Sequence, residues 1–173
     1  TYKFTADVDD LAGNSATTAS QANIVKDVVD PTTTISGIGI SADTGTASDD
    51  FNTKTAAQTL TATLSAAVSG GDTVQVSVNG GSSYSDVNDD VTGTALSTSI
   101  TLSGSSSITI RVTDPAGNSG SVASQAYTLD TTAPAQTYSG LDISADTGTA
   151  ADDFNTNTAA QTLTATLSAA IAS

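Results

Sequence analysis

Residues 40–68 read ISADTGTASDDFNTKTAAQTLTATLSAAV, and residues 143–171 read ISADTGTAADDFNTNTAAQTLTATLSAAI. Only the pairs Ser48/Ala151, Lys54/Asn157 and Val68/Ile171 differ, at an offset of 103 residues. A second, more diverged match links the start of the chain to its middle. Asp10-Leu11-Ala12-Gly13-Asn14-Ser15 answers Asp114-Pro115-Ala116-Gly117-Asn118-Ser119, and Ser20-Gln21-Ala22 answers Ser124-Gln125-Ala126. A self-similarity of this period defines a repeat architecture before any other reading. It divides the chain into the C-terminal part of one repeat (1–31), a complete repeat (32–134) and the N-terminal part of a third (135–173). The chain reads as a window on a longer array.

Within the complete repeat, apolar and polar residues alternate with period two, the signature of half-buried strands. Leu60, Ala62 and Leu64 form one row, Val74, Val76 and Val78 a second, and Ile108, Ile110 and Val112 a third. Ile100 with Leu102, and Tyr127 with Leu129, extend the pattern, while Asn79-Gly80-Gly81 predicts a turn. About seven short strands per repeat, separated by Gly, Asn and Asp, predict an all-β fold of tandem immunoglobulin-like antiparallel sandwiches. Composition agrees. Roughly a third of the residues are Ser or Thr, and all 18 acidic residues are Asp. Asp competes for backbone hydrogen bonds and belongs in turns, whereas Glu would favour helix.

A net charge of −14 with only Lys3, Lys26, Lys54 and Arg111 as cations excludes nucleic acid as a partner. No run of 18 apolar residues is present, so no membrane insertion is expected. His and Cys are absent, which rules out nucleophilic triads of the usual kind and His- or Cys-based metal sites. No enzymatic activity is expected.

The aspartates gather at predicted strand ends: Asp43-Thr44-Gly45 with Asp49-Asp50, the hairpin Asp114-Pro115-Ala116-Gly117-Asn118, and the exit Asp130-Thr131-Thr132-Ala133-Pro134. If hairpin and exit of one module meet the Asp-Thr-Gly loop of its successor, two junction sets result. The first is Asp10, Asn14, Asp27, Asp30, Asp43, Asp49 and Asp50; the second is Asp114, Asn118, Asp130, Asp146, Asp152 and Asp153, with Asp142 nearby. Crowded carboxylates repel unless a cation sits among them. Ca²⁺ suits such hard oxygen ligands, taking six to eight of them.

The order of hairpin D-x-A-G-N, exit D-T-T-A-P and I-S-A-D-T-G…D-D resembles the bacterial Ig-like repeats of giant RTX-type, biofilm-associated adhesins. These are type I-secreted surface proteins of Gram-negative bacteria. The resemblance covers essentially the whole chain. It implies an extracellular, cell-surface extender with Ca²⁺-stiffened junctions, whose ligands would include Asp114, Asp130, Asp146 and Asp152 or Asp153. The implied counterparts are Asp10, Asp27 or Asp30, Asp43, and Asp49 or Asp50. Two departures stand out. Phe51-Asn52-Thr53 replaces a glycine-containing stretch, and the first exit reads Asp27-Val28-Val29-Asp30-Pro31.

The expected function is that of a passive stalk, its partners being neighbouring repeats of the same polypeptide. An alternative is lateral packing of identical chains into a filament, sheath or surface layer. A third reading is glycan binding through Tyr84, Tyr127 or Tyr138. Thr-x-Thr rows such as Thr61-Ala62-Thr63 read as solvent sides of strands, and Asp89-Asp90 as a solvated turn.

Overall fold

The computed structural model describes residues 2–150 and 152–171, including all their side chains except those of residues 22 and 23. The chain divides into two compact units, Thr1–Thr131 and Thr132–Ser173. The first unit contains the complete sandwich. One of its sheets has four strands in the order β3 (Ile35–Ile40), β5 (Ala57–Leu64), β9 (Ala95–Thr101), β8 (Val91–Thr92). The other has five, in the order β4 (Asn52–Thr53), β11 (Ala123–Leu129), β10 (Ser106–Thr113), β6 (Thr73–Ser77), β7 (Ser85–Asp86). Read across each sheet, the first is the A-B-E-D sheet of an immunoglobulin-like sandwich, and the second is its G-F-C sheet (β11, β10, β6) flanked by the short β4 and β7. Pairings are antiparallel except β4 with β11, which is parallel.

The three predicted rows make the core. Leu60, Ala62 and Leu64 from one sheet meet Val74, Val76, Ile108, Ile110 and Val112 from the other, all buried; Val78 is half-buried at the margin. Leu96, Leu102 and Tyr127 complete it, with the Tyr127 hydroxyl donating to the Val78 carbonyl at 2.8 Å. The Asn79-Gly80-Gly81 turn is longer than a two-residue hairpin. It spans the seven residues between β6 and β7, with Gly80 and Gly81 at φ 68° and 87°.

Both flanking repeats are parts of the same design. β1 (Tyr2–Ala6) and β2 (Ala19–Ile24) pair Phe4 with Gln21 and Ala6 with Ala19, matching Ile108 with Gln125 and Ile110 with Ala123 in β10–β11. β12 (Tyr138–Ile143) and β13 (Leu163–Leu167) pair Tyr138 with Leu167 and Ile143 with Leu163, as β3 and β5 pair Ile35 with Leu64 and Ile40 with Leu60. Even the bulge is shared, between Ser36/Gly39 and between Ser139/Asp142. What differs is cover: Leu60 is fully buried, whereas its counterpart Leu163 is 65% exposed.

Phe51 explains one departure noted in the sequence. It sits at φ 57°, the left-handed region where glycine is usual, while its ring is buried in the core. Core burial of an aromatic ring outweighs a backbone cost of about 1–2 kcal/mol. Its counterpart Phe154 holds the same φ of 57° but is 47% exposed. Phe51→Ala is therefore expected to destabilise the complete module by about 3–5 kcal/mol, and Phe154→Ala to cost no more than about 0.5 kcal/mol. Urea unfolding followed by circular dichroism measures both; equal effects would contradict this packing.

Candidate cation-binding loops

The loop between β3 and β5 is built around one glutamine. Gln58 heads the inward-facing row of β5, where an apolar residue is the rule, and is buried. Its Oε1 accepts from the Ala42 amide (2.8 Å) and the Ser41 hydroxyl (3.1 Å). Its Nε2 donates to the carbonyls of Ala42 (3.1 Å) and Thr55 (2.7 Å) and to the Thr53 hydroxyl (3.2 Å). The amide thus satisfies backbone groups on both sides of the loop at once. Gln161 repeats this with Ala145, Ser144, Thr158 and Thr156. Sequence reasoning missed both glutamines, although a polar residue in register with Leu60, Ala62 and Leu64 is a visible signal.

Held this way, the loop turns Asp43 inward. Asp43 Oδ2 accepts from the Phe51 amide at 2.9 Å, and its Oδ1 is buried without a hydrogen-bond partner. Asp146 does the same with the Phe154 amide at 3.0 Å, and its Oδ1 is likewise buried and unpartnered. Asp50 lies against Asp43 and accepts from the amides of Asn52 (2.9 Å) and Ala47 (3.3 Å). Chiefly the Asn52 amide holds the Asp50 carboxyl below the usual carboxylate range. Asp153 accepts from the Asn155 amide at 3.0 Å. Asp49 and Asp152 are exposed on the same loops. Gly45 leaves room for this arrangement, since a Cβ there would stand 2.7 Å from Asp50 Oδ1; a Cβ on Gly148 would stand 2.6 Å from Asp153 Oδ1. An orphaned buried carboxylate oxygen beside a second carboxylate fits a hard cation with oxygen preference.

The hairpin aspartates are differently occupied. Asp114 Oδ1 accepts from the amides of Ala116 (2.9 Å) and Asn118 (2.8 Å), and Oδ2 from Asn118 Nδ2 (2.8 Å). Asp10 makes the same three bonds with Ala12 and Asn14. The D-x-A-G-N motif is a self-capped turn. Asn118 above all keeps Asp114 below the usual carboxylate range, and Asn14 does so for Asp10.

The expected junction sets need regrouping. β10 and β11 are antiparallel, with Ile110 opposite Ala123 and Ser106 opposite Tyr127. Asp114 therefore lies beyond one end of an eight-residue strand and Asp130 beyond the other, roughly 35 Å apart at the usual rise per residue. Hairpin and exit of one module do not converge. Asp130 instead joins its own module's Asp-Thr-Gly loop. Its amide donates to the Thr53 carbonyl at 3.0 Å, and a cleft of about 290 Å³ is lined by Thr44, Gly45 and Asp130. At the opposite end, Asp27 and Asp30 of the preceding exit line a cleft of about 530 Å³ with Asp72 and Asp114. Asp27 Oδ1 there accepts from the Val29 amide at 3.1 Å. Asp142 caps the amide next to it, that of Ile143, at 2.8 Å. Among the described residues, no group of three or more acidic side chains lies close enough to hold a metal by carboxylates alone.

Of the tyrosines, Tyr127 is buried, Tyr84 is covered by the Arg111 guanidinium at 3.8 Å from its ring centroid, and Tyr138 is exposed. Asp90 accepts from the Thr98 hydroxyl at 2.6 Å beside a single 3₁₀ turn, Asn88–Asp90.

Fold and loops together define a class, the tandem β-sandwich repeat with self-capped Asp turns. Compared with protein-family models, curated proteins and solved structures, the chain finds no match.

Asp114 titrates lower in the fold than in the unfolded chain. Its turn therefore stabilises the module above the ordinary aspartate value of 3.8, and this contribution is lost as pH falls through the lowered folded value. Asn118→Ala removes the leading cause of the shift. It is expected to flatten the fall in urea midpoint between about pH 5 and pH 2; an unchanged acid limb would contradict the assignment.

Proposed function

We propose that the chain is a segment of an extracellular structural stalk, a row of sandwiches stiffened by Ca²⁺. The observation that carries this reading is the direct joining of consecutive repeats: residues 25–31 leave one repeat and run along the end loops of the next, beside Gly70, Asp72 and Pro115. No long flexible linker intervenes, so bending is confined to a few residues. Repeats so joined transmit length rather than chemistry.

Support for the metal comes from the Asp-Thr-Gly loops. Asp43 with Asp50, and Asp146 with Asp153, would hold the ion through carboxylate oxygens, and neighbouring backbone carbonyls and water would complete its coordination. Bound there, Ca²⁺ neutralises paired negative charge and cross-links loop strands. Asp130, beside the loop of its own module, is placed to couple the exit segment to the loop. Extracellular Ca²⁺ modules bind at about 10⁻⁴ to 10⁻³ M, matching fluids outside cells. Attachment to a surface and the role of holding a distal adhesive domain follow from the sequence resemblance.

Small-angle scattering of the chain in millimolar Ca²⁺ and in chelator tests the proposal. The expected result is a long, well-defined maximum dimension with Ca²⁺ and a shorter, more variable one without it, accompanied by faster proteolysis at 130–135. A maximum dimension indifferent to chelator would count against the Ca²⁺-stiffened stalk.

A further inference from the structure

Where the exit segment meets the following sandwich, one position has no room for a side chain. A Cβ on Gly120 would stand 2.4 Å from the Pro31 carbonyl oxygen, 3.3 Å from its carbon and 3.4 Å from the Pro31 Cβ. The oxygen contact is far below any real Cβ separation, and the atom it meets is backbone, which cannot swing aside as a flexible side-chain end can. Gly120 is not at positive φ, so its own backbone is open to any residue. It is also held firmly: its amide donates to the Val112 carbonyl at 3.0 Å, next to the Thr113–Ser119 bridge at the base of the hairpin. The glycine thus answers no demand of the hairpin itself. It answers the linker.

The preceding repeat supplies the comparison. The hairpins align residue for residue, and their backbone bonds are the same: Ala16 to Val8 at 2.8 Å where Gly120 bonds Val112, and Asp10 to Asn14 at 2.9 Å where Asp114 bonds Asn118. At the position of Gly120 that repeat carries Ala16. The same turn therefore folds with a methyl group in place, which shows that glycine is dispensable for the turn.

We infer that Gly120 is a positioning residue for module docking, a notch that seats the Pro31 backbone of the preceding repeat's exit segment and so sets the direction in which one sandwich follows another. A repeat with alanine at this position, as at Ala16, refuses the same seat, so rigid and loose junctions are written into an array one residue at a time. Proline at 31 suits the seated strand, because its fixed φ and its restriction of Asp30 to extended backbone leave the segment few other paths. The inference rests on the reading of the chain as joined modules, but not on calcium.

The chain has no cysteine, so Ser20→Cys with Ser97→Cys, both at exposed positions, gives a unique spin-label pair spanning the junction. With Ca²⁺ present, pulsed dipolar spectroscopy is expected to give a narrow distance distribution for the Gly120 chain. Gly120→Ala is expected to give a shifted, broader one, with a thermal midpoint for the sandwich no lower than the parent's. Pro31→Gly, at a position outside the hydrophobic core, is expected to broaden the distribution too. It keeps the test decisive if Gly120→Ala folds poorly. Distributions for both variants matching the parent's, or a parent as broad as the variants, would overturn the notch. The same samples in chelator separate the notch from calcium. The Asp-Thr-Gly loop lies at the other end of the sandwich, so the parent is expected to stay narrow, and broadening on chelation would show that a cation, not the seat at Gly120, fixes the segment. Failure of the metal-stiffened reading is read independently, by scattering.

Discussion

A buried amide at the head of an apolar row is the constraint on which the rest depends. Gln58 occupies a position that period two assigns to the core, and burying an amide without partners would cost several kcal/mol. The loop between β3 and β5 meets that requirement by surrounding the side chain with the Ala42 amide, the carbonyls of Ala42 and Thr55, and the hydroxyls of Ser41 and Thr53. Everything distinctive at this end of the sandwich follows: Asp43 is turned inward, Phe51 is driven to positive φ as it enters the core, and Gly45 is crowded against Asp50. The third repeat shows how local the constraint is. Gln161, Asp146 and Phe154 reproduce the arrangement even though Leu163 beside them is exposed. The loop needs its glutamine more than it needs the opposing sheet.

Strand direction then sorts the acidic loops between the two ends of the module. Antiparallel pairing of β10 and β11 sends the D-x-A-G-N hairpin to the end that receives the preceding repeat, and the exit Asp130 to the end that bears the Asp-Thr-Gly loop. The two groups have different chemistry. Hairpin carboxylates spend their oxygens on the amides of their own turn, so their conformation is complete without an ion. Asp43 and Asp146 each retain a buried oxygen with nothing to accept from. Charge alone would not separate these classes; hydrogen bonding does.

Much of this was legible in the residues. The 103-residue self-match located the repeats, and the rows at 60–64, 74–76 and 108–112 are the rows that face each other in the core. The grouping of the aspartates was not legible in the same way. Hairpin and exit are neighbours along the chain, only 16 residues apart, and proximity in sequence suggested proximity in space. A seven-residue strand lies between them and carries the chain to the other end of the sandwich. Phe51 was marked as an oddity because glycine was expected, and the backbone angle supplies the reason. Gln58 was passed over because a polar residue at a strand's start reads as an ordinary boundary. The seat at Gly120 is a three-dimensional relation between residues 89 positions apart, and no periodicity announces it.

The central claim is that the Asp-Thr-Gly loops, and not the hairpins, are built to take a cation. Calorimetric titration of the chain with CaCl₂ tests this most directly, comparing Asp43→Asn with Asp114→Asn. The account predicts Ca²⁺ uptake by the parent, loss of one site in Asp43→Asn, and undiminished stoichiometry in Asp114→Asn. No saturable uptake by the parent, or a site lost with Asp114 but not with Asp43, would contradict it.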